Sequence, residues 1–227
     1  MLARMKLRDA GPLSMAGRGQ RRGRLLLAAA AGACLAAGWM PGPGCAAIRQ
    51  LAETGPVTMR SLAAGRRLAL RPVAAAKRTG EDGALRAVAT DIPPGLWSQP
   101  LETLEGSVIV IERFFAPKPG RTPMEASSSN ASVRWVVLAK GAVGLYEGGA
   151  MVEHEGSLFG GGATLFLRGA TLRLGAQSAG FVDALGPSSA SGAFAAPEDP
   201  QRAAALERLV QRAVAATRPV EQTPSHP

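Results

Sequence analysis

The chain has 227 residues, a formal net charge of +9 and two cysteines. The positive charge would suit a nucleic-acid-binding protein, but Met1–Arg24 carries seven basic residues against one acidic residue, and the remainder carries 19 against 16. Because phosphate binding needs basic charge that is clustered and retained, we expect no nucleic-acid partner. Both cysteines lie before residue 49, so the remainder cannot form an internal disulfide and depends on its hydrophobic core. That remainder is long enough for one such core.

The first 48 residues have the pattern of an export signal. After the basic segment Met1–Arg24, the stretch Leu25–Ile48 contains no ionisable side chain except the two thiols. A basic segment, an apolar segment of about 7–15 residues and then small residues are the three parts of a secretory signal. We therefore expect residues 1–48 to be a leader and the rest of the chain to be exported.

Each cysteine follows a small residue near the end of an apolar run, in "AAGACLAA" and "PGPGCAAI". In this respect the leader resembles those of bacterial envelope lipoproteins, in which a cysteine is lipidated and becomes the first residue. The resemblance implies lipidation at Cys45, with Cys34 as the alternative, and attachment to a membrane of the cell envelope through the N-terminal lipid. Two other outcomes remain open. Cleavage after Ala47 would release a periplasmic or extracellular protein, and an uncleaved apolar segment would anchor the chain directly.

Residues 49–197 are predicted to form one β-rich domain. Short apolar segments recur about every ten residues between Gly, Pro and Ser, which is typical of an antiparallel sandwich or a small barrel. In "SVRWVVLAKGAVGLYEGG", alternation places Val133, Trp135 and Val137 on one face. The dipeptide Lys140-Gly141 then predicts a tight hairpin turn.

An internal repeat adds information on register. "GATLFLR" begins at Gly162 and "GATLRLG" follows it at Gly169. Since side chains alternate with period two, a straight strand would turn one pair of leucines away from the other. We therefore expect a turn or bulge at Arg168-Gly169, where glycine tolerates positive φ. The alternative is a central strand that is buried on both faces.

A long polar segment and a helix complete the predicted elements. Ala116–Ser132 contains three prolines and a Ser/Asn cluster, so we expect an exposed loop and a possible contact surface for a partner in the envelope. After a change of composition at "LGPSSASGAFAAPEDP", residues 198–218 predict an amphipathic helix that packs on the β domain, with Asp199 as cap and Pro200 in the first position. Its apolar stripe is Leu206, Leu209, Val210, Ala213 and Val214. Residues 219–227 are expected to be a disordered tail.

Few residues suggest chemistry. His154 lies between Glu153 and Glu155 and is a candidate ligand or metal site, although in a strand both glutamates point away from it. Trp97 is the one candidate exposed ring, whereas we expect Trp135 to lie in the core. The chain contains no G-x-S-x-G nucleophile motif, and we assign no catalytic residue and no cofactor.

These features predict a non-enzymatic cell-envelope protein with a structural, adaptor or assembly role, acting through the loop Ala116–Ser132 or an open sheet edge. The alternative is an exported hydrolase or small-ligand-binding protein with a site near Trp97, Glu153 and His154.

Overall fold

The computed structural model describes residues 55–80, 84–115, 129–156 and 161–220, all within a compact unit that spans Gln50–Pro227. The predicted leader, both cysteines and residues 221–227 of the predicted tail lie outside these residues. Within the described residues, none of the helices has the length and apolar character that crossing a bilayer requires.

The fold is mainly β and antiparallel with one C-terminal helix, as the sequence predicts. The sheet forms a curled half-barrel, which is closer to the barrel alternative than to the sandwich. Its strands are β1 (Val57–Ser61), β2 (Arg67–Leu70), β3 (Ala74–Thr79), β4 (Leu85–Thr90), β5 (Glu105–Arg113), β6 (Ala131–Ala139), β7 (Ala142–Gly156), β8 (Ala163–Gln177), β9 (Ser188–Ala196) and β10 (Arg218–Pro219). Two 3₁₀ helices, Pro94–Leu96 and Leu101–Thr103, connect β4 to β5, and helix α1 is Pro200–Ala215.

Chain connectivity requires the sheet to curl. The strand order is β2-β1-β9-β8-β7-β6-β5-β4-β3, so the two end strands are consecutive in the chain. A flat sheet of these nine strands would separate its ends by about 38 Å, whereas the four steps from Leu70 to Ala74 reach at most about 15 Å. The sheet does curl back on itself, because Lys77 N donates to Pro197 O at 2.8 Å and joins the edge strand β3 to the segment after β9.

The curl creates two apolar surfaces with different partners. The concave side encloses one cluster with members from all nine of these strands, which we call the inner core. It includes Val133, Trp135 and Val137, which share a face as predicted. The convex side carries a second cluster, the outer cluster, in which β4 to β7 pack against helix α1.

Helix α1 begins as predicted and ends earlier. The side chain of Asp199 accepts a hydrogen bond from Arg202 N at 2.9 Å, and Pro200 occupies the first turn. The helix ends at Ala215 rather than at residue 218, because Arg218–Pro219 pairs with β8 as strand β10. Val214 lies in the last turn and is 37% exposed, so it does not share the burial of the four other predicted stripe residues.

Both local predictions of register are confirmed. Lys140 and Gly141 have φ of 51° and 92° and join β6 to β7 by a two-residue turn that requires positive φ at both positions. Gly169 has φ of 59°, and the pairing of β8 with β9 shifts between Leu167 and Ala170. This bulge lets both halves of the repeat face the inner core, with Leu165, Leu167 and Leu172 all buried there.

Replacement of Gly148 by alanine is expected to destabilise the domain by about 3 kcal/mol or more. A Cβ at Gly148 would lie 1.8 Å from the backbone oxygen of Thr171 on the paired strand, so β7 and β8 would have to separate. Urea unfolding followed by circular dichroism measures the loss. Gly156→Ala is the matched control on the same strand, because a Cβ there meets nothing within 4 Å. Equal stability of the two variants would contradict this packing.

Candidate functional site

One end of the inner core is charged. We call it the upper end: β3, β5, β7 and β9 finish there, and β4, β6 and β8 begin there. Lys77 on β3, Arg113 at the end of β5 and His154 on β7 occupy inner-face positions, and Glu198 follows β9. We call these four residues the cationic cluster.

Alternation along each strand explains why these polar groups point inward. Arg113 follows Ile111 at a spacing of two, and His154 follows Val152 in the same way. Both apolar residues belong to the inner core, so the polar residues share its face. His154 also lies opposite Leu165, another inner-core residue, in the pairing of β7 with β8.

Two side chains of the cluster are deeply buried. Lys77 is 8% exposed and Arg113 is 5% exposed. The ammonium of Lys77 pairs with the carboxylate of Glu198, which also accepts from Thr79 N at 3.2 Å. The guanidinium of Arg113 contacts His154 Nδ1. Among the described residues, Arg113 Nε is buried and has no hydrogen-bond partner. Glu198 is the one carboxylate of the cluster, and it pairs with Lys77.

The cluster favours a neutral histidine. His154 is exposed on its outer side, and partial desolvation of its ring, followed by the charges of Arg113 and Lys77, lowers its pKa below the ordinary value. Because a guanidinium has only donors, His154 Nδ1 accepts and the proton of the neutral ring is assigned to Nε2. The arrangement therefore offers hydrogen-bond donors from Arg113, Lys77 and His154. These donors suit an anion, and two fixed cations disfavour a metal ion.

The structure does not bring together the candidate set His154, Glu153 and Glu155. Glu153 lies on the opposite face of β7 and forms an ion pair with Arg168 at 3.1 Å. Glu155 alternates to that same opposite face at the end of the strand. In the described part of the chain, no group of three His, Cys, Asp or Glu residues is placed to hold a metal ion.

Trp97 lies at the other end of the domain. It is in the connection from β4 to β5 and packs against the outer cluster. Its Nε1 donates to Ile92 O at 2.9 Å, and Arg212 of α1 donates to its carbonyl oxygen. Trp97 therefore belongs to the contact between helix and sheet and shares no site with His154. Trp135 is fully buried in the inner core, as predicted.

The predicted contact loop Ala116–Ser132 begins and ends at the upper end. Residues 116–128 lie outside the described residues, and Ala131 and Ser132 already belong to β6. Phe114 and Phe115 directly precede the loop and are 62% and 47% exposed. An exposed aromatic pair therefore adjoins the cationic cluster.

A buried asparagine secures the far end of this segment. Asn130 is fully buried, and its side chain donates to Val152 O at 2.9 Å and accepts from Val152 N at 2.7 Å. The side-chain amide thus acts as one more rung of the β6–β7 ladder. The carbonyl oxygen of Asn130 also accepts from Phe114 N at 2.9 Å, which joins the two stems of the loop.

No family model, no curated protein and no solved structure matches this chain. Lys77, Arg113 and Glu198 were not predicted from the sequence as site residues. A signal for Arg113 is present in "SVIVIER", where a cation falls in phase with the buried residues Ile109 and Ile111.

Acidification is expected to destabilise the domain through His154. Its pKa in the folded chain lies below the unfolded value of about 6.5, so the unfolded chain binds this proton first and stability falls as the pH drops. Thermal unfolding of the wild type and His154→Gln, at about pH 7.5 and about pH 5, should show a smaller loss in the variant. His226→Gln, which removes the chain's other histidine, is the control and should behave as the wild type. An identical loss in all three proteins would refute the assignment.

Asn130→Asp is expected to cost about 2–4 kcal/mol. The substitution keeps the shape of the side chain but replaces the donor to Val152 O by a second acceptor, so two oxygens would face each other. Chemical denaturation gives the free energy of unfolding. Ser132→Ala, two residues away on β6, should change it by less than about 1 kcal/mol. A stable Asn130→Asp variant would show that the rung is dispensable.

Proposed function

We propose that the protein is a non-enzymatic, exported component of the cell envelope, held at a membrane through a lipidated Cys45, and that its β domain acts as a binding or adaptor module. The leader pattern and its resemblance to those of lipoproteins support export and lipidation.

One observation carries the binding role: the upper end combines a buried guanidinium that lacks an anionic partner with an exposed aromatic pair. In the residues that the structure describes, Arg113 has no carboxylate partner, while Phe114 and Phe115 remain accessible beside it. Charged and aromatic groups that are left unsatisfied in a folded domain are common features of contact sites.

The arrangement favours binding over catalysis. A general base must accept a proton, and His154 directs its acceptor Nδ1 at Arg113. Its remaining ring nitrogen is a donor when the ring is neutral. A hydrolase that used His154 would first have to break this contact, so our alternative candidate is a small-ligand-binding protein rather than a hydrolase. Arg113, rather than Trp97 or Glu153, is the residue that favours this alternative.

Cell fractionation tests the anchoring. We expect the wild-type protein in the membrane fraction, with a mature N-terminus at Cys45 and a mass that includes the attached lipid. Cys45→Ser should remove the lipid mass and abolish the N-terminus at position 45, whereas Cys34→Ser should behave as the wild type.

Each other outcome would identify a different leader. Loss of the lipid mass in Cys34→Ser alone would assign the modification to Cys34. An unmodified N-terminus after Ala47 would indicate ordinary signal cleavage. Recovery of the wild type from the cytosol with Met1 intact would refute both export and anchoring.

A further inference from the structure

We propose that the cationic cluster is a binding site for one carboxylate or phosphate group, held by Arg113 and Lys77 at the upper end of the inner core. This inference deepens the proposed binding role, because it names the chemical class of the ligand. It does not depend on export or on lipidation.

Arg113 differs from the other arginines in its environment. The arginines that pair with carboxylates have side chains that are 27–65% exposed: Arg78, Arg86, Arg134, Arg168 and Arg202. Arg113 is 5% exposed, and its described contact is with a histidine rather than a carboxylate. Water can solvate the exposed arginines, but a buried guanidinium depends on a partner for the free energy lost on desolvation. Arg113 is thus more deeply buried than each of these five arginines, yet it contacts no carboxylate among the described residues.

The local charge balance also favours an added anion. Lys77 on β3 and Arg113 on β5 supply two positive charges on the inner face, and both act on the pKa of His154. Glu198 supplies one negative charge that is already engaged by Lys77 and by Thr79 N. Among the described residues the cluster therefore keeps one uncompensated positive charge. One carboxylate or phosphate monoanion would neutralise it.

The geometry of a guanidinium selects the class of anion. Its N–H groups form a planar fork that matches two oxygens of a carboxylate or a phosphate. Arg113 Nε is buried and has no partner among the described residues, so an oxygen that displaced the groups covering it would gain a contact without loss of an existing hydrogen bond. The contact between Nη1 and His154 holds one edge of the guanidinium in place.

The anionic group could belong to a soluble metabolite or to a lipid headgroup, and both share this chemistry. Phe114 and Phe115 are exposed next to Arg113 and would contact an apolar portion of the ligand if it has one. Three probes separate the sources: inorganic phosphate, acetate, and vesicles that contain an anionic phospholipid.

Titration calorimetry of the full chain at low ionic strength tests the site. We expect saturable binding of at least one probe, with an affinity that Arg113→Gln weakens by about 10- to 100-fold, the effect of one lost charge-assisted contact. Arg113→Lys should retain part of the affinity, because it keeps the charge and loses the fork. Arg168→Gln is the matched control, since Arg168 is exposed on the opposite face of the sheet, and its affinity should equal that of the wild type. Binding of the small anions indicates a soluble ligand. Binding of the vesicles without the small anions indicates a lipid headgroup if Arg113→Gln weakens it, because attachment through the N-terminal segment would not depend on Arg113.

A second measurement needs no variant and so does not depend on folding of Arg113→Gln. Bound anion should raise the pKa of His154, because its negative charge offsets the two cations that lower this pKa. Proton NMR of the imidazole resonances, with and without the probe that binds, reports this change.

Three results would overturn the proposal: no saturable binding of any probe, equal affinity in Arg113→Gln and the wild type, or binding that leaves the His154 resonances unchanged. Failure of the lipidation experiment would leave the anion site untouched, and failure of anion binding would leave the lipidation result intact.

Discussion

The short connection between the two end strands is the constraint on which the architecture depends. β2 and β3 lie at opposite ends of the strand order, yet only three residues, 71–73, separate them in the chain. This link prevents an open sheet and forces a curled one, so one face of every strand turns toward a shared interior. Apolar residues at every second position of a strand therefore lie in the inner core. The same constraint places β3 beside the segment after β9, which is how Lys77 meets Glu198 although 121 residues separate them.

The two ends of this interior differ in whether their buried polar groups have hydrogen-bond partners. The end opposite the cationic cluster, which we call the lower end, includes the loop between β8 and β9. There Tyr146 Oη donates to Asp183 Oδ1 at 2.6 Å, and the same oxygen accepts from the backbone of Leu185 and Gly186. Burial raises the pKa of Tyr146, so its hydroxyl remains a donor. Phe181 closes this end by packing over Gly144, where a Cβ would lie 2.1 Å from the ring. The polar groups described there are satisfied, and the side chains fill the space. The lower end is therefore structural in character.

The sequence was sufficient where the signal was local. Lys140-Gly141, Gly169 and Asp199 each specify a turn, a bulge or a cap through their own backbone or side-chain chemistry, and each was predicted correctly. Strand β9 was missed because "SSASGAFAA" is composed of small residues with low strand propensity. Its small residues are required by packing, since a Cβ at Gly192 would lie 2.7 Å from Val57 Cα on β1. The cationic cluster was missed for a related reason: its members lie on separate strands, and their proximity depends on strand order and curl, which no local pattern encodes.

The contrast between the two ends supports a functional role for the upper one. Folding alone would favour an apolar residue at position 113, because burial of an unpaired cation costs free energy and a core of similar volume without charge is at least as stable. At the lower end the described polar groups are satisfied from within the fold, whereas Trp135 Nε1, on β6 in the inner core, is buried without a described partner. Among the described residues, Arg113 is the one buried charged side chain whose contacts include no carboxylate, and its burial carries a cost in free energy. It is a local cost, and such costs are expected where a protein contacts something outside itself. The exposed phenylalanines beside Arg113 add a second local cost at the same place. A single external ligand or partner at the upper end would offset both.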